Sequence, residues 1–274
     1  MKVYIFGSNG FLGKNLVKKL KHEHVLCDNG FLVSPKSPGT KDIDITKDNT
    51  LIEKMFKSEN GDFVVINLAA IHSIPYCNNN PKDAYFTNVY GNQILYELSS
   101  RYNCKNYIFA SSGAVYKPQK YPHTEKDTLE CSDIYSATKI AAEGILESQS
   151  KHTQTPVISL RLFNMVGPND LTPHLLPDVA DQLFDNGESL RLGDLTTIRN
   201  YIHVFDVVDA ILSLIDFVTG RDFLACNICS DGGYSGLELV KITQDILGTS
   251  KDIQLDHSRS VSYTHLTLPT KRIV

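Results

Sequence analysis

The sequence lacks the features that mark several classes of protein. None of its apolar runs is long enough to span a bilayer. With a formal net charge of −4 and a pI near 6.1, it has no basic excess that would favour nucleic acid or an anionic membrane. Glycines occupy the N-terminal positions where a secretory signal needs its apolar centre, and we find no internal repeats. We therefore expect a globular protein whose partners are neither nucleic acid nor membrane.

Cysteine is too scattered for a disulfide framework or a zinc site. Of six cysteines, Cys226 and Cys229 form the only tight pair, and no second pair complements it. The pair falls in the apolar, strand-like run FLACNICS, which favours buried free thiols over metal ligands. We expect no metal site, and reduced thiols predict a cytoplasmic location.

The first twenty residues contain a strand, a glycine turn and a helix. Lys2–Phe6 is typical of a buried strand, and apolar residues recur at helical spacing after the turn. In such a turn the first glycine permits the bend, the second lets backbone approach a pyrophosphate, and the third lets helix and strand pack closely. The helix N-terminus then presents free N–H groups to the phosphates. The alternative is an ordinary strand–turn–helix. The residues predicted to bind a dinucleotide here are Gly7, Asn9, Gly10, Phe11, Leu12 and Gly13.

A second short strand, His24–Asp28, ends in an acid about twenty residues after the glycine turn. An acid at this point hydrogen-bonds the ribose hydroxyls of the adenosine and repels a 2′-phosphate. Asp28 therefore favours NAD over NADP. The alternative is a turn aspartate, since Asp-Asn-Gly is itself a strong turn signal.

Strand-like runs alternate with helical segments through residues 1–164, which predicts an α/β fold with a doubly wound parallel sheet. Ligands of such a sheet bind beyond the carboxyl ends of its strands. Residues 165–260 are more fragmented. We interpret them as a smaller interleaved substrate lobe without a sheet of its own, with the chain returning to the first domain at about 205–230. Predicted elements of the first domain include strands at Lys41–Thr46, Asp62–Ala70, Asn106–Ser112 and Val157–Phe163, and a long helix at Pro81–Tyr102.

Tyr135 and Lys139 are four residues apart at the start of a good helix former, so they share one face of that helix. A lysine ammonium beneath a tyrosine lowers the pKa of the phenol, and a positively charged nicotinamide would lower it further. Ser112 ends a strand of the same sheet and could hold a substrate oxygen. Together they predict a Ser/Tyr/Lys catalytic set, although a Tyr/Lys pair by itself is also typical of a solvated helix face.

Taken in order, the glycine motif, the strand ending at Ser112 and the Tyr135/Lys139 pair resemble the extended short-chain dehydrogenase/reductase family. More narrowly, the chain resembles its NAD-dependent nucleotide-sugar epimerases and dehydratases, from Met1 to about Arg259. The resemblance implies a Rossmann fold, NAD as cofactor and a nucleotide-diphosphate sugar as substrate. It also implies a homodimer formed through the helices at Pro81–Tyr102 and Ser136–Ser150.

The resemblance further implies roles for individual residues. Tyr135 is similar to the catalytic acid/base of the family, Lys139 to its partner at the nicotinamide ribose, and Ser112 to the substrate-orienting hydroxyl. The other implied cofactor contacts are Asp44 and Ile45 at the adenine, Ala69, Ala70 and His72 along the pyrophosphate and nicotinamide, and the structural Asn88. The implied substrate contacts are Asn164, His174 and Arg199, the last clamping the diphosphate with its guanidinium fork.

Two departures from the family pattern are informative. Asn200 stands where an aspartate usually follows the arginine. Ser112-Gly113-Ala114 stands where the sugar dehydratases carry Thr-Asp-Glu, so no carboxylate pair is available to remove a C5 proton. The sequence therefore predicts an epimerase acting at C4 through a transient 4-keto sugar. The alternatives are an NAD(P)H-dependent 4-keto-sugar reductase and, from another class, a catalytically idle NAD-binding sensor or scaffold.

The last fourteen residues, Val261–Val274, differ in character from the rest. VSYTHLTLPT resembles the translation of a sequencing-library adapter. We expect this tail to be no part of the natural protein and to leave the substrate lobe incomplete.

Overall fold

The computed structural model describes residues 1–28, 39–59, 61–119, 121–170 and 174–256. The predicted tail lies outside these residues. The chain forms two compact units. One comprises Met1–Lys117, Glu125–Leu162 and Val204–Ile228, and the other comprises Pro118–Thr124, Phe163–His203 and the chain from Cys229 onwards. The boundary predicted at residue 164, and the return to the first domain predicted at about 205–230, remain sequence-based predictions.

The strands and helices are numbered in chain order. The strands are β1 (Lys2–Phe6), β2 (Glu23–Asp28), β3 (Lys41–Asp42), β4 (Phe63–Asn67), β5 (Tyr107–Ser112), β6 (Val157–Leu162), β7 (Asn164–Val166), β8 (Ser189–Leu192), β9 (Ile198–His203), β10 (Phe223–Ile228), β11 (Gly233–Ser235) and β12 (Asp252–Leu255). The helices are α1 (Phe11–Lys19), α2 (Asn49–Lys57), α3 (Ile74–Asn79), α4 (Pro81–Tyr85), α5 (Asn92–Arg101), α6 (Ile134–Ser150), α7 (Leu175–Phe184), α8 (Val204–Leu214) and α9 (Gly236–Leu247).

The first unit is built on a parallel sheet with the order β10-β6-β5-β4-β1-β2-β3. Every pair of neighbouring strands in it is parallel. All residues of β4 and β6 are buried, as expected of strands covered by helices on both faces. The strand order reverses between β1 and β4, and ligands of doubly wound sheets bind in the crevice at such a reversal. The predicted Rossmann fold is confirmed.

Two predicted elements of this unit differ in the structure. The strand expected at Lys41–Thr46 ends at Asp42, because the Asp44 carboxylate accepts hydrogen bonds from the Thr46 backbone N–H and hydroxyl and so forms a turn. The helix expected at Pro81–Tyr102 is interrupted by a π-helical turn, Phe86–Gly91, between α4 and α5. Such insertions into helices are frequent at functional sites.

The second unit does contain β-sheet, so the expectation that it lacks one is wrong. Strands β11, β9 and β7 form one small sheet, and β12 pairs in parallel with β8. An apolar cluster that includes Val179, Leu190 and Val240 packs β8 against α7 and α9, with Ile253 of β12 against it. A capping box between Ser235 and Glu238 begins α9. Among the described helices of the chain, none is long and apolar enough to cross a membrane.

Candidate active site

The glycine turn between β1 and α1 has the geometry expected of a phosphate cradle. Gly7 has φ +79°, and a Cβ there would lie 2.7 Å from the backbone of Leu68 and Ala69. A Cβ on Gly13 would lie 2.4 Å from the Gly7 carbonyl oxygen, so only glycine allows this approach of helix to strand. At Gly10, by contrast, a Cβ would meet only that same oxygen among the described residues, at 3.4 Å, so the turn is less crowded there.

The start of α1 fits an anionic group. Gly10 is its N-cap residue and makes no side-chain capping hydrogen bond to the first N–H groups of the helix. Unsatisfied N–H groups and the helix dipole favour a phosphate at this position. The glycine turn and the start of α1 together fit the pyrophosphate of a dinucleotide. The proposed contacts of Asn9, Phe11 and Leu12 remain predictions, with Asn9 and Leu12 buried.

The acids predicted for the adenosine end lie near the carboxyl ends of neighbouring strands. Asp28 is the last residue of β2, and its Oδ2 accepts a hydrogen bond of 3.1 Å from the Asn9 backbone N–H of the glycine turn. Partial burial opposes ionisation of Asp44, but hydrogen bonds from Thr46 and the ion pair with Lys47 at 3.0 Å bring its pKa below the usual value. Ile45 is a core residue, 4% exposed. Adenine binding by Asp44 and Ile45 stays a prediction.

The segment after β4 is held by two buried asparagines. Asn67, the last residue of β4, accepts a hydrogen bond of 3.1 Å from the Ala69 N–H. Asn88, in the π-helical turn, binds both backbone groups of Ile71, at 2.8 and 2.9 Å, and donates to the Thr138 hydroxyl at 3.0 Å. Since Thr138 belongs to α6, Asn88 ties this segment to the helix that carries the Tyr/Lys pair. The segment contains three predicted cofactor residues, the partly buried Ala69 and Ala70 and the exposed His72.

The three predicted catalytic residues are brought together by β5 and α6. Ser112 ends β5, and its hydroxyl is close enough to the Tyr135 phenol to lower the pKa of that group. The Lys139 Nζ lies 5.8 Å from the centre of the Tyr135 ring and donates to the Ala110 carbonyl oxygen at 2.7 Å. A capping box between Asp133 and Ser136 fixes the first turn of α6, which contains Tyr135.

The electrostatics of this set differ from the prediction. Burial raises the pKa of Tyr135 to about 12, and the nearby Ser112 hydroxyl opposes this. The expected lowering by Lys139 is therefore wrong for the chain by itself, because the ammonium lies under the ring and the effect of burial is larger. Burial also lowers the pKa of Lys139 to about 8, against the opposing influence of Glu143 and Cys77.

The predicted substrate residues belong to the second unit. Arg199 lies on β9 opposite Tyr234 and is partly buried, and its side chain forms no hydrogen bond or ion pair with any described residue. Partial removal from water and the charge of Arg199 lower the pKa of His174, while Asp170 opposes this. His174 is the N-cap residue of α7. Asn164 donates from Nδ2 to the Asn200 carbonyl oxygen at 2.9 Å.

The departure at Asn200 has a structural reason. Asn200 is completely buried, and its Nδ2 donates to the Ser230 carbonyl and hydroxyl oxygens and to the Gly232 carbonyl oxygen. An ionised aspartate has no hydrogen to donate to these oxygens. Asn200 therefore supports the segment beside Arg199.

Sequence reasoning missed three buried polar residues behind the predicted site, which are Asn67, Glu143 and Arg161. Each carried a signal in the sequence. Asn67 ends an otherwise apolar strand, Arg161 is the one charge within β6, and Glu143 follows Lys139 by four residues on the same helix face. No described group of three or more His, Cys, Asp or Glu residues could hold a metal ion.

Comparison with known proteins identifies the family. A family model described as the NAD dependent epimerase/dehydratase family matches residues 3–229. The chain belongs to this family. Membership confirms the predicted NAD cofactor and the predicted enzyme class, and the relatives bear out a nucleotide-sugar epimerase rather than a dehydratase.

The relatives are similar in sequence along most of their length. The UDP-glucose 4-epimerase of Pisum sativum is 26% identical over 316 residues, which cover 99% of this chain and 88% of the relative. That of Bacillus subtilis is 29% identical over 283 residues, which cover 90% and 83%.

Solved structures of the same enzyme share the fold. The UDP-glucose 4-epimerase of Thermotoga maritima with UDP-glucose superposes with a TM-score of 0.85, at 22% identity, over 99% of this chain and 90% of the other. The Thermus thermophilus enzyme with NAD gives 0.81, at 22% identity, over 98% and 97%.

Proposed function

We propose that this protein interconverts C4 epimers of a UDP-hexose, with UDP-glucose as one of the pair. The observation that carries the proposal is the placement of Ser112 and Lys139 around the buried Tyr135 phenol, with the Lys139 Nζ 5.8 Å from the ring centre. The relatives support the choice of sugar and nucleotide, because those described above act on UDP-glucose.

The chain's own groups move the proton and hold the sugar. Tyr135, as phenolate, removes the proton from the C4 hydroxyl, and the Ser112 hydroxyl donates a hydrogen bond to the same oxygen. NAD, held by the glycine turn and Lys139, would supply the hydride acceptor for C4 and the hydride donor for the opposite face of the 4-keto sugar. The Nζ of Lys139 uses one of its three hydrogens on Ala110, which leaves donors for the nicotinamide ribose. Because the Tyr135 pKa is about 12 in the chain alone, formation of the phenolate at neutral pH depends on positive charge brought by the cofactor.

Binding of the substrate diphosphate is assigned to Arg199. A partly buried guanidinium without an ion pair among the described residues is suited to a bidentate contact with phosphate oxygens. The cofactor cradle at Gly7, Gly10 and Gly13 is built from backbone, so the two anionic ligands are recognised by different means.

The function is tested by adding UDP-glucose to the purified protein without added dinucleotide. We expect the C4 epimer to appear in the proton NMR spectrum, and NAD to be released when the protein is denatured. A 4-keto-sugar reductase would instead need added NADPH and would consume it in proportion to product. If the protein turns over neither UDP-glucose nor a 4-keto sugar with NADPH, and yet retains dinucleotide, the sensor or scaffold function is favoured.

A homodimer and a cytoplasmic location are part of the same proposal. Tyr85 and Phe86, at the junction of α4 and the π-helical turn, are 51% and 42% exposed, and the Phe86 ring also contacts Tyr90 at 5.8 Å between centroids. Exposed aromatic side chains are enriched in protein interfaces. Sedimentation should give a dimer at micromolar concentration and a monomer for Phe86→Asp, and a wild-type monomer would count against this interface.

A further inference from the structure

A buried ion pair lies behind the catalytic set. The Arg161 and Glu143 side chains are only 6% and 5% exposed, and Nη2 of the guanidinium meets Oε2 of the carboxylate at 2.7 Å. The Arg161 Nε also donates to both carboxylate oxygens, at 3.1 and 3.3 Å, and the Ser159 hydroxyl donates to Oε1 at 2.9 Å. A buried ion pair contributes little net stability compared with apolar side chains of similar size. Its presence in the core therefore requires another explanation.

The other terminal nitrogen of the guanidinium, Nη1, contacts segments of the chain outside α6. Nη1 of Arg161 donates to the Tyr116 hydroxyl at 2.8 Å and to the Glu125 carbonyl oxygen at 3.0 Å. The Tyr116 hydroxyl donates in turn to Oδ1 of Asn227 on β10, at 2.6 Å. Arg161 thus joins α6, the segment after β5 and strand β10 through one rigid planar group.

The side chains that the two arms of the guanidinium contact, Glu143 and Tyr116, each lie four residues along the chain from a predicted catalytic residue. Glu143 follows Lys139 by four residues on α6, and Tyr116 follows Ser112 by four residues beyond the end of β5. We propose, on the basis of the function proposed above, that Arg161 and Glu143 position the active site. The pair fixes the Ser112 segment relative to Tyr135 and keeps an anion one helical turn from the Lys139 ammonium.

The surroundings of Lys139 make this anion important. On α6 the ionisable groups near it are Tyr135 and Glu143, on α3 the Cys77 thiol, and on β6 Arg161 as the partner of Glu143. Asp133, which caps α6, acts on Cys77 and Tyr135. β5 contributes the aromatic face of Phe109, at 4.9 Å from Nζ, and a carbonyl oxygen. Glu143 is the first group that opposes the effect of burial on the Lys139 pKa.

Removing Glu143 and removing Arg161 should therefore shift the pKa of Lys139 in opposite directions. Glu143→Gln removes the anion that opposes the effect of burial, so it should lower the Lys139 pKa. Arg161→Met leaves the carboxylate unpaired and should raise it. The double variant Glu143→Gln/Arg161→Met also lacks the anion, so it should lower that pKa as well, and it should still fold because no buried charge is left unpaired. Glu147→Gln, one turn further along α6 at an exposed carboxylate, is the matched control.

Two measurements test the proposal. The Lys139 side chain is titrated by NMR in ¹⁵N-lysine-labelled protein, with its signal assigned by its loss in Lys139→Met, and kcat is measured against pH with UDP-glucose. We expect the basic limb of the kcat profile to move down for Glu143→Gln and up for Arg161→Met. In the double variant kcat should fall about ten- to hundredfold with little change in KM, as misplacement of reacting groups predicts.

Other outcomes would overturn the proposal. If the pKa of Lys139 is the same in every variant, and activity falls only in proportion to the melting temperature, the pair has only a structural role. A double variant with normal kcat would likewise exclude the positioning role. The titration needs no substrate, so it decides the electrostatic part even if the wild-type protein proves not to epimerise UDP-glucose.

Discussion

The Lys139 ammonium lies 5.8 Å from the centre of the Tyr135 ring, and its hydrogen bond runs to the Ala110 carbonyl oxygen of β5. Helix α6 thus presents a phenol and a cation on one face, with the cation directed to the strand that ends at Ser112. Because Lys139 does not contact the phenolic oxygen, its effect on proton transfer depends on the ligands bound with it. The predicted catalytic residues are brought together in the chain alone, but burial keeps the Tyr135 phenol protonated at neutral pH.

Tyr135→Phe should reduce kcat by about 10²- to 10⁴-fold, because general acid/base catalysis is lost with the hydroxyl. The ring is retained, and with it the packing of residue 135 against Ile71, Cys77 and Ala84. Melting temperature and NAD affinity, measured by calorimetry, should remain close to those of the wild type. A variant with near-normal turnover would remove Tyr135 from the mechanism.

Lys139→Met should abolish turnover and yet stabilise the protein at neutral pH. The folded-state pKa is about 8 against 10.5 in the unfolded chain, so the unfolded chain binds more protons between these values and wild-type stability rises with pH in that window. Below about pH 8 the full cost of burying the ammonium is present, so the variant should gain about 1–3 kcal/mol in the free energy of unfolding.

Urea unfolding at several pH values checks this prediction. The gain should be largest at pH 7 and should shrink as the pH approaches 10.5. Lys151→Met, at an exposed lysine one residue past α6, should show no such gain. A Lys139→Met variant less stable than the wild type at pH 7 would mean that the ammonium is net stabilising.

Arg199→Ala should raise KM for UDP-glucose far more than Kd for NAD, because the guanidinium is assigned to the substrate diphosphate. The comparison is made by steady-state kinetics and by calorimetry of NAD binding. Arg191→Ala, an exposed position on β8 of the same unit, is the control. Equal weakening of both ligands would show that the assignment is mistaken.

Asn88→Ala should destabilise the protein by about 2 kcal/mol or more, because Ile71 loses both of its backbone partners in a buried site. It should also weaken NAD binding, since Ala69 and Ala70 precede Ile71 in the same segment. Thermal unfolding and calorimetry check both effects. As a control, Asn79→Ala, at the exposed end of α3, should change the free energy of unfolding by less than about 0.5 kcal/mol. If Asn88→Ala binds NAD as the wild type does, the segment from Ala69 to Ile71 does not contact the cofactor.

Asp28→Ala should weaken NAD and reduce discrimination against NADP, because the repulsion of a 2′-phosphate is removed. The Asn9 N–H also loses its acceptor, so part of the loss is common to both dinucleotides. The ratio of the two dissociation constants is therefore the deciding quantity. If that ratio does not change, Asp28 is a turn residue only.

The fold could be predicted because its signals are local. Gly7 and Gly13 are required by backbone contacts that their spacing already indicates, and the apolar strands β4 and β6 are recognisable without partners. The second unit was harder to predict, since β7 and β11 are three residues long and are stabilised by pairing with β9 rather than by their own composition.

The catalytic set was also predictable in position but not in charge. A spacing of four residues places Tyr135 and Lys139 on one helix face whatever surrounds them. Their pKa values depend on how deeply they are buried and on Glu143, Ser112 and Cys77, which come from three different elements. Such effects are set by tertiary contacts and are absent from any local pattern.

The π-helical turn Phe86–Gly91 has a consequence for how this segment tolerates changes in length. Asn88 must face Ile71, while Gly91 packs so closely on Ile45 that a Cβ would lie 2.8 Å from its side chain. In a regular α-helix each residue turns the chain by about 100°, so deleting one residue here would rotate one of these two positions away from its partner. The stretch resembles an ordinary amphipathic helix in sequence, yet a one-residue deletion within it should be far more damaging than most substitutions.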